Sequence, residues 1–338
     1  MKDIRNYSLL AHNTFGIDAT CRRFVEYASV EEAQQLVASL TPEDQPLLIL
    51  GGGSNLLLTG NYEGTVLHSA IKGIQLIGSS EDDVYLKCGS GEVFDDVVAY
   101  AVEHDYHGAE NLSIIPGEVG ASAVQNIGAY GAEAKDIISQ VEVVEIASGK
   151  VLLLDGKDCG YSYRQSKFKN EWRDKYLVTH VIYRLSKIFR PDLEYGNIRS
   201  SLDKKGIQTP TAQQLRDTII EIREAKLPDP KVQGNAGSFF MNPIVSKGKY
   251  EELLAQYPGM PHYTIDEEHE KIPAGWMIDQ CGWKGKSLGK AGVHDKQALV
   301  LVNRGGATGN DVVKLYQTIQ RDVLDKFGIQ IYPEVNVR

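Results

Sequence analysis

The chain has 338 residues and a formal net charge of −9. This length predicts two or three domains of about 150 residues each. Acidic and basic residues are interspersed and form no basic stripe, so we expect no nucleic-acid partner. The four cysteines lie far apart without a C-x-x-C pair, which argues against a zinc site and against a disulfide-stapled secreted domain.

The N-terminal segment MKDIRNYSLLAHNTFG lacks the apolar run of a secretory signal. No run of about eighteen apolar residues occurs elsewhere, so we expect a cytoplasmic protein without a membrane partner. None of the eight histidines has metal-ligand spacing such as H-E-x-x-H, and we expect no metal.

The first half of the chain predicts strands around a glycine-rich turn. PLLILGGGSNLLL is typical of a strand, a tight turn at Gly51, Gly52 and Gly53, and a second strand. VYLKCGSG predicts a further strand. GEVFDDVVAYAVEHD predicts a helix, because its apolar residues recur at the spacing of one helix face: Val93, Phe94, Val97, Val98, Ala101 and Val102.

The middle of the chain predicts a hairpin, a strand and a helix. VEVVEIASGKVLLLD has two aliphatic runs joined through a Ser-Gly-Lys turn, and YLVTHVIYRL predicts the next strand. TPTAQQLRDTIIEIREAK predicts a helix with Thr209 as N-cap and Pro210 at the first helical position. Its apolar face carries Leu215, Ile219 and Ile222, and it ends before the Leu227-Pro228 pair.

A domain boundary is predicted near this helix. Beyond it, YEELLAQY and AGWMIDQCGW predict short helices and QALVLV a strand. A longer helix is predicted over 310–327, with Gly328 at C′ and a final strand in IQIYPEVNV. The apolar residues of that helix in register are Val312, Tyr316, Ile319, Val323 and Phe327. Strands in the middle followed by mixed elements favour α+β over a doubly wound sheet.

Two glycine-rich segments are candidates for a phosphate site, because glycine lets backbone N–H groups surround phosphate oxygens. GGGSN lacks the G-K-[ST] ending of a P-loop and the third spaced glycine of the dinucleotide fingerprint. IPGEVGASAVQNIGAYG can lie flat along an extended ligand. Each segment alone is more often a pair of turns, but two in one chain favour a long phosphate-containing ligand.

Several segments together carry a resemblance to a family. LGGGSNLL, IPGEVGASAVQNIGAYG, SYRQSKFK, KLPDPKVQGNAGSFFMNP and PEVNV occur in this order over nearly the whole chain. This combination closely resembles the UDP-N-acetylenolpyruvoylglucosamine reductases, flavoenzymes of bacterial cell-wall precursor synthesis. The resemblance implies an FAD-binding region of the vanillyl-alcohol-oxidase type, followed by an α/β substrate-binding domain. We expect a small subdomain at 1–70 joined by 329–338, a larger one at 71–208, and the substrate domain at 209–328.

The resemblance also implies the ligands. FAD would bind non-covalently, with its pyrophosphate on the Gly51 to Leu56 turn and its ring near the stretch from Gly117 to Gly131. NADPH would reduce the flavin and then be replaced by the enolpyruvyl UDP-sugar. We expect a monomer or weak oligomer. The implied cofactor-binding residues are Gly51, Gly52, Gly53, Ser54, Asn55, Leu56, Gly117, Ser122, Asn126 and Gly128.

Three residues resemble the catalytic residues of the family. Arg164 would hold the substrate carboxylate through its planar fork, and Ser238 would donate a proton to the enolate carbon. Glu334 would need to hold a proton beside that carboxylate. The residues alone favour other roles: a surface salt bridge for Arg164, a local turn hydrogen bond for Ser238 and simple exposure for Glu334.

The expected contacts of the UDP-sugar are Tyr195, in a loop typical of the longer form of the family, Lys226, Asn242 and Gln297. Two other functions stay open on the sequence. One is a different FAD-dependent oxidoreductase of the same fold that acts on a small alcohol or hydroxy acid. The other is a flavin-binding module without enzymatic activity.

Overall fold

A computed structural model describes residues 1–338 and shows an α+β protein. Its α-helices are α1 Val30–Ser39, α2 Phe94–Glu103, α3 Val119–Gln125, α4 Ile198–Lys204, α5 Ala212–Lys226, α6 Lys247–Gln256, α7 Ala274–Gln280 and α8 Gly309–Phe327. Its strands are β1 Lys2–Ser8, β2 Thr20–Tyr27, β3 Leu47–Leu50, β4 Leu56–Leu57, β5 Tyr62–Ser69, β6 Ile74–Ser79, β7 Asp83–Gly89, β8 Gly128–Ala129, β9 Ala132–Glu133, β10 Ile138–Glu145, β11 Val151–Asp155, β12 Tyr176–Ser186, β13 Asn235–Ser238, β14 Ile244–Ser246, β15 Tyr263–Thr264, β16 His269–Lys271, β17 Ser287–Leu288, β18 Ala291–Val293, β19 Val300–Asn303 and β20 Asn336–Val337.

The chain forms two compact units. The first unit contains 1–7, 21–52 and 63–225, and the second contains 8–20, 53–62 and 226–338. The chain therefore leaves the first unit at the end of α5. The finer division into three domains stays a prediction. None of the helices combines the length and the apolar composition that a membrane-spanning segment requires.

The first unit contains two larger sheets. One has the strand order β1-β2-β5-β3, in which β3 and β5 are parallel. The other is antiparallel, with the order β11-β10-β12-β7-β6. The predicted hairpin is confirmed and consists of β10 and β11. The strand predicted before it is β7, and the strand predicted after it is β12. Small strands β8 and β9 form a separate hairpin at the end of the second glycine-rich segment.

Helices α2 and α3 contribute side chains to the core of the five-stranded sheet. The predicted face of α2 is buried from Phe94 onwards, which removes its apolar surface from water. Val93 was assigned to this face, but it is the N-cap residue and 43% exposed. It precedes the first helical turn, so the 3.6-residue period does not apply to it.

Helix α5 begins later than predicted. Thr209 and Pro210 precede it, and the Thr211 hydroxyl accepts a hydrogen bond from the Gln214 N–H instead. Its end at Lys226 is confirmed, as is the buried face with Leu215, Ile219 and Ile222. Arg216 on the same helix forms a bidentate ion pair with Asp95, at 2.7 and 2.9 Å, which fastens α5 to α2 within the first unit.

The second unit contains a sheet with the order β13-β19-β18-β17, a three-stranded sheet, and the parallel pair β4 and β20. The predicted strand QALVLV begins only at Val300, and only Asn336–Val337 of the predicted final strand is extended in a ladder. Helix α8 is confirmed, with a capping box between Thr308 and Asp311 and a left-handed Gly328 at its C-terminus.

Candidate active site

In the first unit, the two glycine-rich segments lie against each other. Gly51 and Gly52 follow β3, and a Cβ built on Gly52 would lie 3.5 Å from the Gly117 Cα. Gly117 has φ of +125°, a backbone conformation that residues other than glycine rarely adopt. The predicted turn between two strands is confirmed. At Gly51 and Gly52 the turn presents backbone that carries no side chain of its own.

The next glycine of the turn belongs to the second unit and is tightly packed. A Cβ on Gly53 would lie 2.0 Å from the carbonyl oxygen of His12, so this position accepts only glycine. Asn55 then connects the turn to the C-terminal segment. Its carbonyl oxygen accepts hydrogen bonds from the backbone and side-chain amides of Asn336, both at 3.1 Å, and Leu56 pairs with Asn336 in the parallel ladder.

The second glycine-rich segment is partly helical, whereas we expected it to lie flat along a ligand. It contains α3, because VGASAVQ has small and apolar residues that pack against the five-stranded sheet. Ser122 is fully buried and hydrogen-bonded to the Val119 carbonyl (2.7 Å) and the Tyr183 hydroxyl (2.6 Å). Asn126 is also fully buried, with a left-handed φ of 45°. These two side chains hold the segment in place.

Glu118 lies between the two glycine-rich segments and was not singled out by the sequence analysis. A Cβ on Gly51 would lie 3.3 Å from its Oε2 atom. Its side chain is 17% exposed, and burial raises the pKa of the carboxyl group to about 8. Glu118 is the acidic residue near the start of IPGEVGASAVQNIGAYG, and a charge within a glycine segment of the phosphate-binding type was the signal that could have drawn attention to it.

Arg164 occupies a tight turn that is fastened to the second glycine-rich segment. Ser162 and Gln165 exchange backbone hydrogen bonds at 3.1 and 2.9 Å, and Asn126 donates to the Ser162 carbonyl. Arg164 has φ of +55°, which is uncommon for a residue other than glycine and is a form of strain found at functional sites. Its Nη2 atom donates to the Gly128 carbonyl at 2.9 Å.

A second arginine lies close to this turn. The guanidinium of Arg223, on α5, lies 6.0 Å from the ring centroid of Tyr130, which in turn makes an edge contact with Tyr195. The Arg223 Nε atom is buried without a hydrogen-bond partner, and burial lowers the pKa of this residue. An arginine stays charged in proteins nonetheless. We call Arg164, Arg223, Tyr130 and Tyr195 the arginine cluster.

Sequence reasoning missed Arg223, although its position carried a signal. It follows Ile219 by four residues and Ile222 by one, so the helical period places it on the apolar face of α5. A cation on a core-facing position without an acidic partner requires an explanation. The structure brings it to the same cluster as the predicted residues Arg164 and Tyr195.

In the second unit, Ser238 ends β13 at a β-bulge. Asn235 pairs with Val302 and Ser238 with Val300, so the two residues between them on β13 oppose the single residue Leu301 on β19. Gly237, one of these two residues, has φ of +70°. Bulges of this kind re-aim side chains and are frequent next to active sites. The Ser238 side chain is half-buried, and its hydroxyl has no hydrogen-bond partner in the protein.

Within the second unit, Glu334 lies next to the segment that carries Ser238. Its backbone N–H donates to the carbonyl of Phe239 at 2.8 Å, and its own carbonyl accepts from the Asn55 side chain at 3.4 Å. Glu334 is half-buried in a bend, not in the final strand where the sequence placed it. Phe239 is completely buried, as expected for a residue that shields the site from water. We call Ser238, Glu334 and Asn55 the serine site.

Two of the expected UDP-sugar contacts meet at the start of α7. The Asn242 Oδ1 atom accepts from the Ala274 N–H at 2.9 Å, and a Cβ on Gly275 would lie 3.2 Å from the Gln297 Oε1 atom. Gln297 also accepts from the Leu299 N–H. Lys226 is exposed at the end of α5 and has no partner in the protein. The side-chain amino group of Asn242 has no hydrogen-bond partner in the protein.

Comparison with known proteins identifies the family. Residues 21–155 match the model of an FAD binding domain, and residues 229–338 match the C-terminal domain of UDP-N-acetylenolpyruvoylglucosamine reductase. A relative from Bacteroides fragilis named UDP-N-acetylenolpyruvoylglucosamine reductase is 57% identical over 333 residues, which cover 98% of this chain and 99% of the relative.

Two solved structures share the fold. The reductase of the same name from Thermus caldophilus superimposes with a TM-score of 0.69 at 22% identity, covering 99% of this chain and 98% of its own. The 6-hydroxy-D-nicotine oxidase from Arthrobacter nicotinovorans has a TM-score of 0.54 at 12% identity, covering 97% and 86%. The α+β fold with a vanillyl-alcohol-oxidase-type FAD-binding region is confirmed.

The FAD-binding match includes both glycine-rich segments, and the reductase match includes the whole serine site apart from Asn55. With near-complete coverage of a relative at 57% identity, these matches show that the chain belongs to the UDP-N-acetylenolpyruvoylglucosamine reductases, a family of FAD-dependent oxidoreductases.

Proposed function

We propose that this protein uses NADPH to reduce the enolpyruvyl group of UDP-N-acetylglucosamine enolpyruvate, which yields UDP-N-acetylmuramate for peptidoglycan synthesis in the cytoplasm. The observation that carries the proposal is the half-buried Ser238 hydroxyl, which is re-aimed by a bulge and has no other partner. Family membership defines the reaction class. The roles of the individual residues follow from the chemistry that the reaction requires.

The first unit fits the cofactor. Gly51, Gly52 and Gly117 present backbone without side chains, which suits the close approach of a diphosphate. When bound, FAD supplies hydride transfer from NADPH to the terminal vinyl carbon of the substrate. The side chains of Ser122 and Asn126 are buried and support this surface from within, and their contact with the cofactor stays a prediction.

Arg164 binds the substrate carboxylate. As the vinyl carbon gains hydride, an electron pair moves to the carbon that carries the carboxylate, and negative charge grows on the carboxylate oxygens. A guanidinium that is already positioned interacts more strongly with this charge than with the ground state, which lowers the barrier. Its bond to the Gly128 carbonyl and the turn around it hold Arg164 in that position.

Ser238 donates the proton that completes the reduction. The carbon that carries the carboxylate is strongly basic at this stage, so a hydroxyl held in line is an adequate acid. We place Glu334 beside the same charge as a protonated acid, because an ionised carboxylate would repel it. The backbone bond between Glu334 and Phe239 keeps the two side chains in one region.

Lys226, Asn242, Gln297 and Tyr195 bind the UDP moiety in this proposal. Lys226 and the Asn242 amino group have no competing partner in the protein, so a diphosphate or uracil oxygen can accept from them. Tyr195 is 44% exposed and makes an edge contact with Tyr130, and in this proposal its ring covers the bound nucleotide.

Anaerobic half-reactions test the proposal. We expect the purified protein to show the absorption bands of oxidised flavin, to lose them with NADPH, and to recover them with the enolpyruvyl UDP-sugar while UDP-N-acetylmuramate forms in equal amount. Recovery with a small keto acid or ketone instead would favour the other oxidoreductase. A yellow protein that NADPH does not bleach would favour a flavin-binding module.

A further inference from the structure

Glu118 places an acid group on the surface that we assigned to the FAD diphosphate. It is the residue before α3, and it has extended backbone angles (φ −111°, ψ 159°) and no capping hydrogen bond from its side chain. The side chain instead lies over the glycine turn, with Oε2 3.3 Å from a Cβ built on Gly51 and Oε1 3.9 Å from one built on Gly52. A dianionic diphosphate at this turn would therefore meet the carboxyl group.

No cation is paired with Glu118 alone, because the histidine beside it also faces a second acid. His68, on β5, has its Nε2 atom 3.9 Å from Glu118 Oε1 and 3.7 Å from Oε2 of Glu26, on β2. Its Nδ1 atom lies 3.0 Å from the Leu50 carbonyl oxygen, an acceptor, so Nδ1 carries a proton. Even as an imidazolium, His68 can balance only one of the two carboxylates that face it.

Two other titratable groups lie nearby, a lysine and a tyrosine. Lys72, which follows β5, is 58% exposed at its side chain, donates to the Gly91 carbonyl and lies 3.7 Å from Glu92. Its charge lowers the pKa of Glu118, but the effect of burial is larger. Tyr27, on β2, is completely buried, and burial raises its pKa, so it is uncharged. Of the two acids that face His68, Glu118 is the less exposed at 17% against 28%. It is therefore the acid that keeps its proton more readily.

We propose that Glu118 binds the FAD diphosphate as a neutral acid that donates its O–H to a phosphate oxygen, so that the protein binds FAD more weakly as the pH rises and this proton is lost. This inference rests on the diphosphate position in the proposed function. The protonated group adds a hydrogen bond, whereas the carboxylate adds a like charge at the same place. FAD binding therefore draws a proton onto Glu118 whenever the free protein has lost it.

Titration of the FAD-free protein with FAD at a series of pH values tests this. We follow quenching of flavin fluorescence from about pH 6 to about pH 9.5, because the pKa of Glu118 is about 8. For the wild type, Kd should increase up to about tenfold per pH unit above about pH 8. Calorimetry in two buffers of different ionisation enthalpy should show proton uptake on binding there.

The variant Glu118→Gln keeps the size and an N–H donor but cannot ionise. It should bind FAD with a Kd that does not change over this range and without proton uptake. Glu26→Gln is the matched control, since it removes the other acid that faces His68. The charge of Glu26 raises the pKa of Glu118, so this variant should keep a pH-dependent Kd whose increase begins at a lower pH.

Thermal unfolding of the FAD-free proteins gives a second readout. Burial raises the pKa of Glu118 to about 8 in the folded protein, from the 4.5 of an unburied glutamate. The folded state then binds this proton more tightly than the unfolded state does. The stability of the wild type therefore falls as the pH rises from about 4.5 to about 8, and above about pH 8 Glu118 causes no further change. The melting temperature of Glu118→Gln should therefore exceed that of the wild type by a margin that grows up to about pH 8.

Different results would overturn different statements. A pH-independent wild-type Kd, or a pH dependence that survives in Glu118→Gln or disappears in Glu26→Gln, would overturn the role of Glu118 and leave the reductase proposal untouched. Failure of the wild type to bind FAD at any pH would overturn the proposed function together with this inference.

Discussion

The arginine cluster and the serine site are built in different ways. Arg164 and Arg223 are cations at the end of long side chains, and they depend on a strained turn and a buried helix face for their positions. Ser238 and Glu334 are held by backbone hydrogen bonds of a ladder and a bend. In the proposed mechanism the first region stabilises negative charge and the second supplies a proton. A change in the cluster should therefore alter electrostatics and stability, whereas a change at Ser238 should alter a single chemical step.

The largest effect is expected for Ser238→Ala. Because the hydroxyl has no protein partner, its removal should leave the free energy of unfolding within about 0.5 kcal/mol of the wild type. Stopped-flow absorbance should show normal flavin reduction by NADPH and a reoxidation by enolpyruvyl substrate that is slower by about 10³-fold. Ser287→Ala, at an exposed position of β17, is the control. Equal slowing of both half-reactions would make Ser238 a structural residue and remove the contrast.

A smaller loss is expected for Arg164→Lys. The lysine keeps the charge but cannot form two parallel bonds to a carboxylate, so the reoxidation half-reaction should slow by about 10²-fold. Arg173 is an exposed arginine of the same segment, and Arg173→Lys should leave the rate of the reoxidation half-reaction unchanged. Wild-type turnover in Arg164→Lys would exclude Arg164 from the mechanism and would assign the charge stabilisation to the serine site alone.

The smallest effect is expected for Arg223→Met, and it concerns stability. Removal of a half-buried cation whose Nε atom is buried without a hydrogen-bond partner should raise the free energy of unfolding of the FAD-free protein by about 1 to 2 kcal/mol. Arg223 shares a cluster with Arg164 and Tyr195, which contact the substrate in the proposed function, so the variant should at the same time bind the enolpyruvyl UDP-sugar more weakly. Urea denaturation and titration with this substrate measure the two quantities, with Arg199→Met on α4 as an exposed control. A destabilised Arg223→Met would show that the arginine holds the fold and is not kept for a ligand.

Local sequence patterns predicted much of the fold. The apolar periodicity of α2, α5 and α8, the β10 and β11 hairpin and the Gly328 cap each depend on interactions between residues close in the chain. The short strands of the second unit were mostly missed, because two- to four-residue strands have too few positions for a period to emerge. The N-cap of α5 was misplaced because Thr209 and Thr211 offer the same hydroxyl.

The candidate site divides in the same way. The motifs around Gly51, Arg164, Ser238 and Glu334 could be recognised from the order of their amino acids, since resemblance to a family requires only the sequence. The environments of Arg223 and Glu118 could not, because burial and charge balance come from neighbours such as Tyr130 and His68, which are distant in the chain. Local pattern determined which segments carry chemistry. Only the tertiary structure decided which charges lie unbalanced beside one another, since the strength of an electrostatic interaction depends on distance and on exclusion of water.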